Sequence, residues 1–131
     1  MPFRLLLVCC EQTLSHLLRD RLAGAFNVVG TATTPDEAIA TARSVEADVI
    51  LFDADLWKVE AVDLIAKLSL VSAAPILALS SHAAPGSLAG VAMLESGARS
   101  VVPKGRGQLP LDLSGERGEM LVAALTRAAT P

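Results

Sequence analysis

The chain has 131 residues, of which 52% are hydrophobic, and a chain of this length can bury a core without disulfides or a structural metal. We therefore predict one domain over residues 1–131. The net charge is −3 and the basic residues are scattered, which argues against nucleic acid as a direct partner. The apolar run at the amino terminus is too short to cross a membrane, and no signal-peptide cleavage pattern follows it. We expect a cytoplasmic protein without a membrane partner.

Short apolar runs alternate with helical spacing patterns along the chain. In order, the runs predict strands at 5–8, 26–32, 49–52, 75–81 and 100–104. Apolar residues spaced three or four apart predict helices at 14–22, 34–44, 59–70, 87–96 and 116–128. Uninterrupted alternation of this kind requires right-handed crossovers and a parallel sheet with helices on both faces. The predicted fold is α/β and flavodoxin-like: a doubly wound five-stranded parallel sheet of order 2-1-3-4-5 with five helices.

Two helix boundaries carry clear local signals. Thr34 precedes Pro35 and Glu37, which is the pattern of a capping box with proline at the first helical position. Gly97 is expected to end the helix at 87–96, because glycine readily adopts the backbone conformation that follows a helix.

Polar residues stand where three of the predicted strands end. Asp53 and Asp55 follow a run that is apolar on both faces, Ser80 lies near the end of the fourth run, and Lys104 ends the fifth. Ligands of open parallel sheets bind outside the carboxyl ends of the strands, so Asp53 is a candidate site residue. A polar turn remains the alternative interpretation of Asp53 and Asp55.

The order and spacing of these residues resemble those of the receiver domain of bacterial two-component response regulators, the CheY-like fold, over essentially the whole chain. The stretches 75–81 and 97–104 are most similar to the receiver of chemotaxis methylesterase regulators. The resemblance implies that Asp53 is the phospho-acceptor, that Ser80 bonds the phosphoryl group and that Lys104 neutralises it. Asp53 and Lys104 should then lie within salt-bridge or one-water distance. It further implies a phosphorelay partner such as a sensor histidine kinase or another signalling protein, and no enzymatic activity.

The metal site of the family departs from its usual pattern in this sequence. The two acids that normally bind Mg²⁺ after the first strand fall on Cys9 and Cys10, and Mg²⁺ prefers oxygen to thiol ligands. We therefore predict a degenerate site at Cys9, Cys10, Asp53 and Asp55, with Mg²⁺ as cofactor only if the site is functional. Glu11 is one residue late to replace a missing acid.

The signalling positions of the family depart as well. Trp57 and Ala61 stand where the family usually has proline and glycine, Val101 takes the place of its switch aromatic, and Gly105 replaces a proline that often follows the lysine. The resemblance therefore implies an atypical receiver, a pseudo-receiver with weak or absent Mg²⁺-dependent phosphorylation at Asp53. Such a domain would act through protein–protein interaction, with Trp57 and Val101 as candidate partner contacts.

Partner contact is expected on the face formed by the fourth helix, the fifth strand and the last helix, as in receivers that this chain resembles. That face would also support a homodimer. Ala89, Val91, Ala92 and Val101 leave it low in charge, as suits a packed interface.

The adjacent cysteines leave further hypotheses open. A disulfide between neighbours is strained, so Cys9 and Cys10 indicate a reducing compartment, where they could simply be small buried apolar side chains. Alternatively, they could form a thiol-sensing or soft-metal module on the receiver fold, with His82 and Asp53 completing a Zn²⁺ site. A flavodoxin-like enzyme is a third hypothesis. The sequence does not favour it, because no phosphate-binding glycine-rich loop follows the first strand.

Overall fold

The computed structural model describes residues 3–8, 20, 22, 24, 26–54, 61–80, 88–103 and 116–130, without the side chains of 89, 103 and 116–120. Five strands form one parallel sheet: β1 Phe3–Val8, β2 Phe26–Ala32, β3 Val49–Asp53, β4 Ile76–Ser80 and β5 Ala98–Pro103. Their order is β2-β1-β3-β4-β5, so the predicted doubly wound sheet is confirmed.

Four helices, rather than the five predicted, have bounds among the described residues. They are α1 Pro35–Ser44, α2 Ala61–Val71, α3 Leu88–Ser96 and α4 Glu116–Ala129. Asp20 and Leu22 are also helical, and both belong to the stretch in which the sequence predicts the first helix.

The sheet separates two apolar clusters, which explains why its central strands are continuous apolar runs. Every residue of β3 and β4 is buried. Ile50 and Phe52 pack on the side of α1, α2 and α3, whereas Val49 and Leu51 pack on the side of α4 and Leu22. Both faces of the central strands therefore require apolar side chains, and the polar residue that ends each of these strands stands out against this background.

The amino terminus of α1 is capped as predicted, with one difference. The Thr34 hydroxyl accepts a hydrogen bond from the Glu37 amide at 3.2 Å. The Glu37 carboxylate accepts one at 3.0 Å from the amide of Thr33, one residue before the cap, rather than from that of Thr34. At the end of α3, Gly97 has a φ of 133°, a conformation that other residues rarely adopt, so its predicted role as the helix end is confirmed.

The fifth strand begins two residues earlier than the sequence predicted. Ile76 pairs with Ala98 and Leu77 pairs with Ser100, so Arg99 is an extra residue in the ladder. Such a bulge breaks the alternation of side chains on which strand prediction depends. The sequence pattern that predicts β5 therefore begins only at Ser100, after the bulge.

A polar contact ties β1 to the start of β3 at the amino-terminal edge of the sheet. The Arg4 amide donates to Asp48 Oδ2 at 2.7 Å, and the Asp48 amide donates to the Arg4 carbonyl at 2.8 Å. The Arg4 guanidinium also lies 3.3 Å from Asp48 Oδ1 and 3.2 Å from Glu46 Oε2. These hydrogen bonds, led by that from the Arg4 amide, hold the pKa of the Asp48 carboxyl below its usual range.

Replacing Asp48 with asparagine is expected to reduce the free energy of unfolding by about 1 kcal/mol at neutral pH. Because the pKa of Asp48 is lower in the folded state, its stabilising effect is present above the unfolded-state pKa and is lost as the pH falls through the folded-state pKa. The difference between wild type and Asp48→Asn should therefore shrink below about pH 4 in urea unfolding experiments. Asp63→Asn, which breaks the exposed pair with Lys67 at 3.0 Å, is the matched control and should cost less than about 0.5 kcal/mol. A difference for Asp48→Asn that is unchanged from neutral to acidic pH would contradict this account.

Candidate functional site

Two buried polar side chains mark the carboxyl edge of the sheet. Asp53 is the last residue of β3 and is 1% exposed, and Ser80 is the last residue of β4 and is 3% exposed. Within the described part of the chain, every buried side-chain polar atom has a hydrogen-bond partner. A carboxylate is costly to bury. Asp53 is thus a buried strand residue rather than a polar turn residue, and the turn begins only at Ala54.

The strand register brings Asp53 and Ser80 to neighbouring positions. Asp53 pairs with Leu79, the residue before Ser80, and the Ala54 amide donates to the Leu79 carbonyl at 2.8 Å. Ser80 in turn pairs with Pro103 on β5. The prediction that Asp53 and Ser80 share one edge of the sheet is therefore confirmed, while their chemical roles stay predictions.

The other predicted site residues lie outside the described residues: Cys9, Cys10, Glu11, Asp55, Trp57, His82, Lys104 and Gly105. Two of them directly follow strands that adjoin the site. Cys9 comes after Val8, which pairs with Phe52, and Lys104 comes after Pro103. The approach of Lys104 to Asp53 and the thiol hypothesis for Cys9 and Cys10 therefore stay predictions.

The described residues at this edge supply few of the oxygen ligands that Mg²⁺ needs. In the part of the chain that the structure describes, no three histidine, cysteine, aspartate or glutamate residues are grouped so that they could hold a metal ion. Asp53 supplies one carboxylate, and the residues that follow β1 in the sequence supply thiols. Mg²⁺ requires oxygen ligands in near-octahedral geometry and binds thiols poorly.

Val101, at the position of the family's switch aromatic, is half-buried. It pairs with Ala78 on β4 and packs against the cluster that contains Phe52 and Met93. A small β-branched side chain thus occupies a place between the sheet and α3. Its predicted contact with a partner is not tested by this packing.

The outer surface of α3 exposes more large apolar side chains than were predicted from the sequence. Val91, which was predicted to lie on the partner face, is 40% exposed, but larger exposed side chains were missed: Leu88 at 92% and Leu94 at 47%. These three residues are spaced at intervals of three, and Glu95 is the one charged residue of the helix. That spacing was the available signal, but a helix that is apolar on all sides has no polar face by which to orient it.

No protein family model matches the chain. The chain is 31% identical over 117 residues to a protein-glutamate methylesterase/protein-glutamine glutaminase of Halobacterium salinarum, a match that covers 89% of this chain and 33% of that protein. The chain thus spans about a third of the length of this curated relative. None of the described helices is both long and apolar enough to cross a membrane.

Solved structures of response regulators share the fold over nearly the whole chain. The response regulator domain of Thermotoga maritima CheB has a TM-score of 0.86 and 21% identity, covering 100% of this chain and 98% of that one. The receiver domain of NarL from Mycobacterium tuberculosis has a TM-score of 0.76 and 21% identity, covering 99% and 98%. A CheX–CheY–BeF3–Mg²⁺ complex from Borrelia burgdorferi gives 0.76 and 17%, covering 97% and 90%. The chain has the CheY-like fold of response regulator receiver domains.

Proposed function

We propose that this chain is an atypical receiver domain of two-component signal transduction, which acts through protein–protein contact with little or no Mg²⁺-dependent phosphorylation. The observation that carries the proposal is the chemistry around Asp53. This buried carboxylate lies at the carboxyl edge of a CheY-like sheet, where the resemblance implies the phospho-acceptor, and no acidic cluster accompanies it among the described residues. Cys9 and Cys10 stand where metal-binding acids would be needed.

The proposed roles of the other site residues follow the same resemblance. Ser80 would bond a phosphoryl group on Asp53, and Lys104 would neutralise it. Without a metal ion, Lys104 alone would compensate only part of the charge of the transferred group, so Asp53 would accept a phosphoryl group slowly. The domain, proposed as a single unit over 1–131 in the cytoplasm, would have no enzymatic activity of its own.

The proposed partner face comprises α3, β5 and α4. Leu88, Val91 and Leu94 expose apolar surface there, with Glu95 as the one charge on α3. Exposed apolar surface of this kind is typical of protein–protein contact sites. A sensor histidine kinase, another signalling protein or a second copy of this chain would bind this face, with Val101 contributing contacts. Trp57 is a further candidate for partner contact.

Mass spectrometry after incubation with acetyl phosphate and Mg²⁺ tests the phosphorylation part. We expect the wild-type protein to keep its unmodified mass, because a single carboxylate binds Mg²⁺ too weakly to support transfer. The Borrelia burgdorferi CheY, which was solved with BeF3 and Mg²⁺, is the positive control for the donor. Stoichiometric phosphorylation that disappears in Asp53→Asn would overturn the atypical assignment.

A further inference from the structure

A groove between β5 and α4 carries two arginines over an apolar floor. We call it the arginine groove, and it is lined by Arg99, Ser100, Val102, Ala124, Arg127 and Ala128. Its volume is about 480 Å³. Val102 and Ala124 are half-buried and pack against the apolar cluster on the α4 side of the sheet, and Ala128 is 6% exposed. The floor is therefore held in place by the core.

The arginine groove lies at the opposite edge of the sheet from Asp53 and Ser80. Arg99 is the second residue of β5, at the amino-terminal edge, and Arg127 is in the last turn of α4. The extra residue in the β5 ladder is Arg99 itself. A bulge at the margin of a sheet commonly redirects one side chain, here a guanidinium beside the groove.

Neither arginine of the groove is neutralised within the described part of the chain. Arg4 pairs with Asp48 and Glu46, and Lys67 pairs with Asp63, but Arg99 and Arg127 make no ion pair with any described residue. Both are exposed. Two cations without an ion pair to any described residue thus border one apolar concavity in a chain whose net charge is −3.

We propose that the arginine groove binds an acidic segment of a partner protein, in which carboxylates alternate with aliphatic side chains. Guanidinium groups match carboxylates with paired hydrogen bonds, and the floor of Val102, Ala124 and Ala128 accommodates an aliphatic side chain between them. Two cations neutralise too few phosphates to hold nucleic acid at physiological salt. The inference rests on the proposed function as an interaction domain and specifies the chemistry of its partner.

The test is fluorescence polarisation with a labelled peptide of about eight alternating glutamate and leucine residues with capped ends, a length that spans the groove when extended. A second peptide carries glutamine in place of glutamate. We expect the wild-type protein to bind the glutamate peptide, and Arg99→Gln with Arg127→Gln to weaken binding about 10-fold. Arg43→Gln is the matched control, because Arg43 is also exposed and without an ion pair among the described residues. It should leave the affinity unchanged.

Several results would overturn the proposal. These are the absence of binding to the glutamate peptide, equal binding of the two peptides, or an equal loss with Arg43→Gln. Binding of oligothymidylate that also depends on Arg99 and Arg127, or a change in oligomeric state on their replacement, would instead identify nucleic acid or a second copy as the occupant. Unfolding midpoints of the variants should match wild type, since both arginines are exposed. The two proposals can fail separately. If the wild-type protein is not phosphorylated but also does not bind the glutamate peptide, the groove proposal is wrong and the proposed function stands.

Discussion

Replacing Phe52 with alanine is expected to lower the free energy of unfolding by about 3–5 kcal/mol. Phe52 is fully buried on the central strand β3, within the cluster that joins the sheet to α1, α2 and α3. Truncation removes apolar contacts and leaves a cavity that strands on both sides cannot easily close. Since domains of this size are typically stable by about 5–15 kcal/mol, the loss is a large fraction of the total.

Chemical denaturation of the Phe52→Ala and Phe3→Ala variants measures this effect against a matched control. Phe3 is half-buried at the amino-terminal edge, where its ring centroid lies 5.8 Å from that of Phe26. Its replacement removes less buried surface and should cost about 1–2 kcal/mol. A loss of only about 1–2 kcal/mol at Phe52, no larger than that at Phe3, would contradict the proposed role of Phe52 in the core.

The central strands could be predicted from the sequence because both of their faces are buried. Burial on two sides produced the unbroken apolar runs of β3 and β4, and the polar residues that end them, Asp53 and Ser80, were predicted to share an edge. The end of α3 was also predictable, because Gly97 acts through local backbone preferences.

Features that depend on tertiary packing could not be predicted in the same way. The start of β5 was missed because a bulge at Arg99 interrupts the alternation of side chains. The exposure of Leu88 and Leu94 was missed because α3 is apolar on all sides, so its inward face depends on how the helix packs on the sheet. The arginine groove was missed because Arg99 and Arg127 are far apart in the sequence and meet only through the packing of α4 against β5.

The predicted positions of Ser80 and Lys104 come from the arrangement of strands, whereas their proposed roles come from the resemblance to receiver domains. The rule that parallel sheets bind ligands at their carboxyl edge identifies the place, but it does not distinguish a phospho-acceptor from any other buried acid. The resemblance to receiver domains supplied that distinction. It also made Cys9 and Cys10 conspicuous, because by that resemblance they stand where receivers usually carry metal-binding acids.

Replacing Cys9 and Cys10 together with aspartate is expected to raise the affinity for Mg²⁺ above that of the wild-type protein. The pair directly follows Val8, whose partner in the sheet is Phe52, the residue before Asp53. Two added carboxylates would supply the oxygen ligands that thiols do not, and we expect Mg²⁺ affinity to rise at least about 10-fold. Isothermal titration calorimetry measures the affinity, and mass spectrometry with acetyl phosphate measures any phosphorylation of Asp53 that follows.

Replacing the same two cysteines with serine separates the gain of carboxylates from the loss of thiols. The serine variant should bind Mg²⁺ no better than wild type, because neutral hydroxyls are weaker ligands than carboxylates. If the serine variant gained as much affinity as the aspartate variant, or if the aspartate variant gained none, the missing acids would not be what disables the site. A variant that binds Mg²⁺ and accepts a phosphoryl group would still have Val101, rather than an aromatic side chain, packed beside α3. Phosphorylation gained without altered partner binding would then show that metal binding and partner contact depend on separate features.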